Sequence, residues 1–215
     1  MVNSSVDADD TDLSFACDCG TVTGTVLRAA PDQGDHVVCH CTDCQDLTRF
    51  LGHDRILDAH GGTALWQARC ARMRIDTGRE HLACLHLTDG PTLRWYAACC
   101  RMPLFNTFKN GKLPFITVQI AACDPARRED AFGAPRGHLF LKEGIGDTAA
   151  LPPLGTATLM RRFFVRAISD LVSGDRRRTA LFDAETLEPI SVPHRLTGEE
   201  RQALATTRTG AQPSP

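Results

Sequence analysis

The chain has 215 residues, 42% hydrophobic and 23% charged, the proportions of a soluble globular protein with enough apolar side chains for one sizeable core. A formal net charge of -2 gives no general attraction to nucleic acid or to an anionic membrane, and no apolar run approaches the roughly 20 residues of a spanning helix. The start, MVNSSVDADDTD, is polar and acidic where a secretory signal is basic and apolar, so the expected location is cytoplasmic, with neither membrane nor nucleic acid as partner.

Residues 1–12 lack hydrophobic periodicity and are expected to be a disordered tail, as are residues 207–215. From residue 13 to 123 short strand patterns alternate with turn residues, which predicts a mainly β region of antiparallel hairpins. LSFACD and TVTGTVLRA flank Cys19-Gly20, where glycine can take a left-handed conformation and reverse the chain. One helix interrupts the strands. Thr42 is its expected N-cap, Gln45 completes a capping box, and Leu47, Phe50 and Leu51 supply the apolar face. ARMRID, with Met73 and Ile75 alternating against charges, HLACLHL, TLRWYAA and PFITVQIA are further strands, joined into hairpins through TGRE, TDGP and KNGK.

Beyond residue 123 the character changes. TATLMRRFFVRAISDLVSG predicts a long helix packed on the β domain, with Met160, Phe163, Phe164, Ala167, Ile168 and Leu171 at helical spacing and Gly174 as terminator. A second short helix is predicted from Thr197, with Glu200 closing a capping box.

The ten cysteines are unevenly spread. In a reducing compartment, clustered cysteines are more often metal ligands or catalytic thiols than disulfides. Cys17 and Cys19, and Cys39 and Cys41, are i, i+2 pairs that a strand would project to one face, which suits a zinc ion with Zn–S distances of about 2.3 Å. Cys44 adds a third thiol from the first turn of a helix, where the positive end favours the thiolate. Three protein ligands are typical of catalytic zinc, which keeps a fourth position for substrate. Two other readings stand beside this one. The cysteines could be buried small hydrophobes, although Asp18, Thr42 and Asp43 make poor company for that, and Cys41 and Cys44 form the C-x-x-C of a dithiol redox protein. Cys70, Cys84 and Cys123 lie in strand-like segments and read as ordinary core residues. His40 should face away from its flanking cysteines, and His53 and His60 show no notable spacing. No G-x-S-x-G, phosphate-binding glycine loop or H-E-x-x-H is present to favour a hydrolase or a nucleotide site.

CDCGTVTGTV, VCHCTDC and WYAACCRMPL, in that order, resemble the glutathione-dependent formaldehyde-activating enzyme and centromere protein V family. Its pattern is C-x-C-G, C-x-C-x-x-C and C-x-x-C-G-x-P-L, on a β-rich fold similar to the chaperone Mss4. The resemblance covers about residues 13–123 and implies an Mss4-like β-tent domain over 13–125, followed by a helical extension over 126–206. It implies a catalytic zinc on Cys39, Cys41 and Cys44 that takes the thiol of glutathione, and a structural zinc on Cys17, Cys19 and Cys100, hence one or two Zn2+ per chain and a carbon–sulfur lyase. The third motif departs from the pattern: Ala97 stands where the first cysteine belongs and Arg101 where the glycine does. Cys99 is the substitute ligand, provided the backbone turns between Cys99 and Cys100, and Arg101 implies a different local loop. Arg49 and Arg101 are candidate partners for substrate carboxylates. The rivals to a lyase are a zinc-stabilised interaction module without catalysis and a dithiol redox protein using Cys41 and Cys44.

Overall fold

The computed structural model describes residues 11–210, with side chains up to residue 206. In chain order the elements are β1 (Leu13–Ala16), β2 (Thr23–Val26), β3 (Asp35–Cys39), α1 (Thr42–Leu51), β4 (Thr63–Ala68), β5 (Met73–Thr77), β6 (Leu82–His86), β7 (Thr92–Ala97), β8 (Pro103–Phe108), β9 (Ile116–Gln119), α2 (Arg128–Phe132), β10 (His138–Leu139), α3 (Thr156–Ser173), β11 (His194–Arg195) and α4 (Gly198–Gly210). The architecture is mainly β. A three-stranded sheet in the order β1-β2-β5 lies against an eight-stranded one in the order β10-β3-β4-β9-β8-β7-β6-β11.

Most residues of the expected tails, 1–10 and 211–215, lie outside the described residues. Within them, Thr11 and Asp12 are tied down: the Ala29 amide donates to Thr11 O at 2.7 Å and the Arg28 amide to Asp12 Oδ1 at 2.8 Å. At the other end, α4 continues to Gly210.

The β1–β2 hairpin turns through Gly20 at φ 74, as its sequence predicts. TDGP and KNGK likewise connect antiparallel neighbours, β6 to β7 and β8 to β9. TGRE does not close a hairpin. Gly78, at φ 69, carries the chain from β5 in the small sheet to β6 in the large one, so the two strands it joins are not partners. β4 and β8 run through TALWQA and PLFNTF, whose alternation is blurred because both faces of these strands are covered and nearly every residue is buried.

Period-two alternation assigns the two faces of the large sheet. Trp66, Leu93, Trp95 and Phe105 join Leu13 and Phe15 of the small sheet in the main core, where Phe15 meets Phe105 edge to face at 5.3 Å. The opposite face carries Val37, Cys39 and Leu65, covered by Cys44 of α1 and by Leu139. The segment after residue 123 contributes to both sheet edges, β10 pairing parallel with β3 and β11 parallel with β6.

Helix α3 ends at Gly174 (φ 78) as predicted, but its apolar stripe is not all core. Phe163 and Ala167 are buried, whereas Met160, Phe164, Ile168 and Leu171 are exposed. The helix is held instead by buried carboxylates: Asp35, fully buried on β3, pairs with Arg136, Arg162 and Arg166, and Asp170 pairs with Arg69. At the start of α4 the predicted capping box is present, Thr197 N donating to Glu200 Oε2 at 2.8 Å and Glu200 N to Thr197 Oγ1 at 3.2 Å.

Removing the shared anion strands three guanidinium groups, so Asp35→Ala is expected to lower the unfolding free energy by roughly 3 kcal/mol or more. Val172→Ser, on the exposed side of α3, should change it by no more than about 0.5 kcal/mol. Urea titration followed by circular dichroism checks both; equal losses would mean that the carboxylate does not anchor the helix.

Candidate metal centres

Two turns, far apart in sequence, bring four cysteines together. Cys17 and Cys19 lie just past the end of β1 rather than on it, in the turn where Gly20 N donates to Cys17 O and Val22 N to Cys17 Sγ at 3.3 Å. Cys99 and Cys100 lie in the β7–β8 turn, closed by Arg101 N donating to Ala97 O at 2.7 Å and Ala97 N to Met102 O at 2.9 Å. The backbone does turn between the adjacent cysteines. Arg101 adopts φ 63, the left-handed conformation in which glycine is at ease. That side chain is anchored, its guanidinium donating to Phe50 O of α1 and lying 5.2 Å from the centre of the Phe50 ring.

The ligand atoms of Cys17, Cys19, Cys99 and Cys100 all lie within 4.8 Å of one another. Sulfur separations are 3.6 Å for Cys17–Cys19, 3.7 Å for Cys17–Cys99 and 3.3 Å for Cys19–Cys99. A disulfide would bring two sulfurs to about 2.05 Å, whereas four sulfurs around a tetrahedral ion at about 2.3 Å stand about 3.8 Å apart. The arrangement fits a metal ion and not a pair of bridges. Hydrogen bonds with Thr21 bring the Cys19 thiol down to about 6, while burial and the adjacent sulfurs push Cys99 up to about 12. The first charge formed in the cluster opposes the next unless a cation joins them.

The second cluster is built at a strand-to-helix junction. Cys39 ends β3, Cys41 is the N-cap of α1, and Cys44 lies in its first turn, with Cys44 N donating to Cys41 O at 3.0 Å. Cys41 is therefore off the strand, yet its sulfur is 3.4 Å from that of Cys39, and all three lie within 4.8 Å. Thr42 is the first helical residue, not the cap. Its amide and hydroxyl donate to Glu143 Oε2 at 2.7 and 2.8 Å, and Gln45 Nε2 donates to His40 O and Glu143 O instead of forming the expected box. A carboxylate from a distant loop serves the first helix amide, that of Thr42, and the positive helix end, the work a local cap would do.

Arg94 of β7, almost fully buried, faces this cluster. Its Nη1 lies 3.7 Å from Cys44 Sγ and donates to Asn106 Oδ1 at 3.0 Å, while Nη2 is 3.5 Å from Asp43 Oδ2. Hydrogen bonds from Cys39 and Cys41, with a further contribution from Arg94, hold the Cys44 thiol well below its ordinary value despite burial. The cost is borne by its neighbours. Hydrogen bonding with Cys41 and Cys44, and burial, push Cys39 well up; for Cys41 the bond to Cys39 pulls down, but Cys44 and burial outweigh it and leave it at about 11. Burial works against the Arg94 charge, and the adjacent sulfurs and Asp43 more than restore it.

Arg94 begins a polar row across the sheet. Arg94, Asn106, Thr117, Gln67 and Asp35 are successive direct partners on β7, β8, β9, β4 and β3. Asn106 Nδ2 donates to Thr117 Oγ1 at 2.8 Å, and Arg166 of α3 reaches both Gln67 and Asp35. Above the row lies a cavity of about 510 Å3, lined by Cys39, Cys41 and Cys44 and by Phe108, Phe115 and Phe163. Among the described residues, no further His, Cys, Asp or Glu joins the three cysteines at ligand distance.

Cys70, Cys84 and Cys123 are buried away from both clusters, as expected, and burial raises all three thiols. His40 does face away from the sulfurs: its Nδ1 donates to His60 O at 3.1 Å, which leaves Nε2 to accept from His138 Nδ1 at 2.9 Å. His53 donates from Nε2 to Cys100 O at 3.0 Å and so joins the end of α1 to the four-cysteine turn. Arg49 is held by Gln45 and Asp46 and Arg101 by Phe50; neither lines the cavity. The residue that sequence reading missed is Arg94, and its signal was present: in TLRWYAA, Leu93, Trp95 and Ala97 share the core face, which turns Arg94 toward the cysteines.

The purified chain is expected to carry two metal ions, one per cluster. Cys19→Ser should remove one and lower the unfolding midpoint strongly, since metal-coupled folding free energy can reach about 10 kcal/mol, whereas Cys123→Ala should retain both. Arg94→Met, which takes away the neighbouring charge, should weaken metal held by Cys39, Cys41 and Cys44 by about 10- to 100-fold in chelator competition. Full metal content in every variant would count against the assignment.

No curated protein matches the chain. Among solved structures, the crystal structure of a Rhodobacter sphaeroides protein from the Northeast Structural Genomics programme is 18% identical, covering 57% of this chain and 96% of its own, with a TM-score of 0.38. Residues 11–183, which include both cysteine clusters and Arg94, match one family model throughout, and the chain belongs to the family described as Family of unknown function (DUF6151).

Proposed function

We propose that both clusters bind zinc and that the site of Cys39, Cys41 and Cys44 carries out carbon–sulfur chemistry on a small thiol and an aldehyde, on an Mss4-like scaffold. The reading is carried by one observation: three convergent cysteines, with no fourth ligand among the described residues, form a wall of a 510 Å3 cavity. An all-thiolate donor set at tetrahedral spacing favours zinc among the common divalent ions. The resemblance to the glutathione-dependent formaldehyde-activating enzymes supports the same chemistry.

Zinc bound there would hold a substrate thiol as its thiolate at neutral pH. The protein's part is electrostatic and steric. Arg94, at 3.7 Å from Cys44 Sγ, offsets the negative charge of the sulfur set, and the α1 N-terminus adds to it. The cavity walls hold the aldehyde against the thiol and keep water away. With the thiol so held, a sulfur lone pair would form the C–S bond as the carbonyl π pair moved to oxygen, which would take up one proton in place of the one the thiol released. The product is a hemithioacetal, and the reverse steps cleave it.

A dithiol redox role for Cys41 and Cys44 has weaker support, because the thiol favoured as thiolate is Cys44, and it is buried. A purely structural ion would leave the cavity beside the cysteines without a purpose.

Cobalt substitution gives the test, since sulfur-to-cobalt charge-transfer bands respond to each added thiolate. Addition of 2-mercaptoethanol to the cobalt protein should intensify these bands, and Cys44→Ser should abolish the response while keeping the cobalt of the four-cysteine site. A spectrum indifferent to thiol in the wild type would refute the open position.

A further inference from the structure

The reading above concerns the sulfur end of the substrate, and on it rests an inference about the rest of the molecule. We propose that the thiol carries an apolar body of aromatic size, packed in the cavity against the cluster of Phe108, Phe115 and Phe163 and closed over by Phe140 and Met160, and that a charged peptide thiol such as glutathione is not its natural ligand.

The first ground is how the polar groups of the cavity are already used. Arg94 is engaged by Asn106, Asp43 and Cys44, and Asn106 by Arg94 and Thr117. Gln67 Oε1 accepts from Arg166, and Glu143 is spent on Thr42. Glutathione brings two carboxylates, an ammonium group and two amides. Inside this cavity the two carboxylates would lose water without gaining a cation that is not already engaged, which is costly for each. The charges point the same way, because among the described residues Arg94 is the one cation on the lining, where it is paired with Asp43, and Glu143 adds a second carboxylate to the same lining.

The second ground is the apolar surface itself. Phe108, Phe115 and Phe163 meet one another with ring centres 4.9 to 6.4 Å apart and line the cavity together. Its volume of about 510 Å3 falls in the range of roughly 300–1,000 Å3 typical of small-molecule sites, which are mostly apolar with a few placed polar groups.

Phe140 is the third ground. It follows Leu139, the partner of Cys39 across β10 and β3, and it is 51% exposed at the rim. Its backbone is left-handed, at φ 57 and ψ 40, an outlier for a bulky side chain and one of the strained conformations that gather at ligand clamps. Glu143 N donating to Phe140 O helps to hold it. Met160 of α3, which also lines the cavity, is likewise exposed. Two large apolar side chains are thus kept in water where a ligand body would cover them.

The test uses the full zinc-loaded chain and three probes followed by calorimetric titration: 2-phenylethanethiol, its oxygen counterpart 2-phenylethanol, and glutathione. The aromatic thiol should bind at least tenfold more tightly than glutathione. Phe140→Ala should weaken it severalfold while leaving metal content and the response to 2-mercaptoethanol unchanged, a pattern that misfolding would not give. Glutathione binding as tightly as the aromatic thiol, or no binding of either aromatic probe, would overturn the inference. If the alcohol and the thiol bind equally and the metal ignores both, the thiolate chemistry fails while the apolar assignment of the cavity stands.

Discussion

Three thiols within 4.8 Å of one another in a buried pocket cannot all lose their protons unless positive charge is supplied among them. Two unit charges about 4 Å apart repel by about 4 kcal/mol even at an effective dielectric constant near 20, and three sulfurs contain three such pairs. The surroundings of Cys39, Cys41 and Cys44 supply part of what is needed. Arg94 brings one full charge and the α1 N-terminus roughly half of one. In their presence one thiol, Cys44, is pulled toward the thiolate, while Cys39 and Cys41 are pushed the other way. A divalent cation would bring three thiolates, one guanidinium and the helix end close to neutrality. That balance suits a metal ion and provides it with a built-in counter-charge.

The polar row from Arg94 to Asp35 gives the part of the chain after residue 123 a role at the site. Asp35 holds Arg162 and Arg166 of α3 at one end, and Arg94 meets Cys44 at the other. Between them the side chains are direct cross-strand neighbours, the closest contacts a sheet offers. Helix α3 adds Phe163 to the cavity wall, and the loop after β10 adds Glu143 beneath α1. Both of these come from the region outside the three cysteine motifs. The motifs alone would make a metal site open to water; the later segment makes it a cavity.

Sequence spacing made some of this legible and not the rest. The three-cysteine cluster was readable because thiols at i, i+2 and i+5 leave few alternatives, while the joining of Cys17 and Cys19 to Cys99 and Cys100 was implied only by the family resemblance; the strand geometry used to argue for convergence does not hold at Cys17, Cys19 and Cys41, which lie in turns and at a cap. The hairpins at Gly20, TDGP and KNGK followed from local turn chemistry. TGRE has the same chemistry but changes sheets, because a turn residue fixes a reversal and not the partner that follows. Thr42 and Gln45 matched a capping box, and a carboxylate 101 residues later took the position. No local pattern encodes Glu143. The stripe on α3 shows the converse limit: helical period predicts which residues share a face, but ion pairs to Asp35 and Asp170 decide that only Phe163, Ala167 and Asp170 are buried.

The two clusters are mechanically joined, and the joint runs through α1. The turn bearing Cys99 and Cys100 takes its shape from Arg101 in a left-handed conformation, unfavourable for arginine unless its side chain is held. Phe50 holds it, through its carbonyl and its ring, and Phe50 belongs to the same helix as Cys44. At the end of that helix Gly52 reverses the chain at φ 75 and delivers His53, which donates to Cys100 O and lies 3.4 Å from Asp18, the residue between Cys17 and Cys19. The four-cysteine site thus fixes where α1 ends, and the three-cysteine site lies where it begins. In a helix of ten residues, displacement at one end is transmitted to the other. Arg101 therefore does more at this left-handed position than glycine could: glycine would give the turn its shape but could not tie it to the helix that carries Cys44.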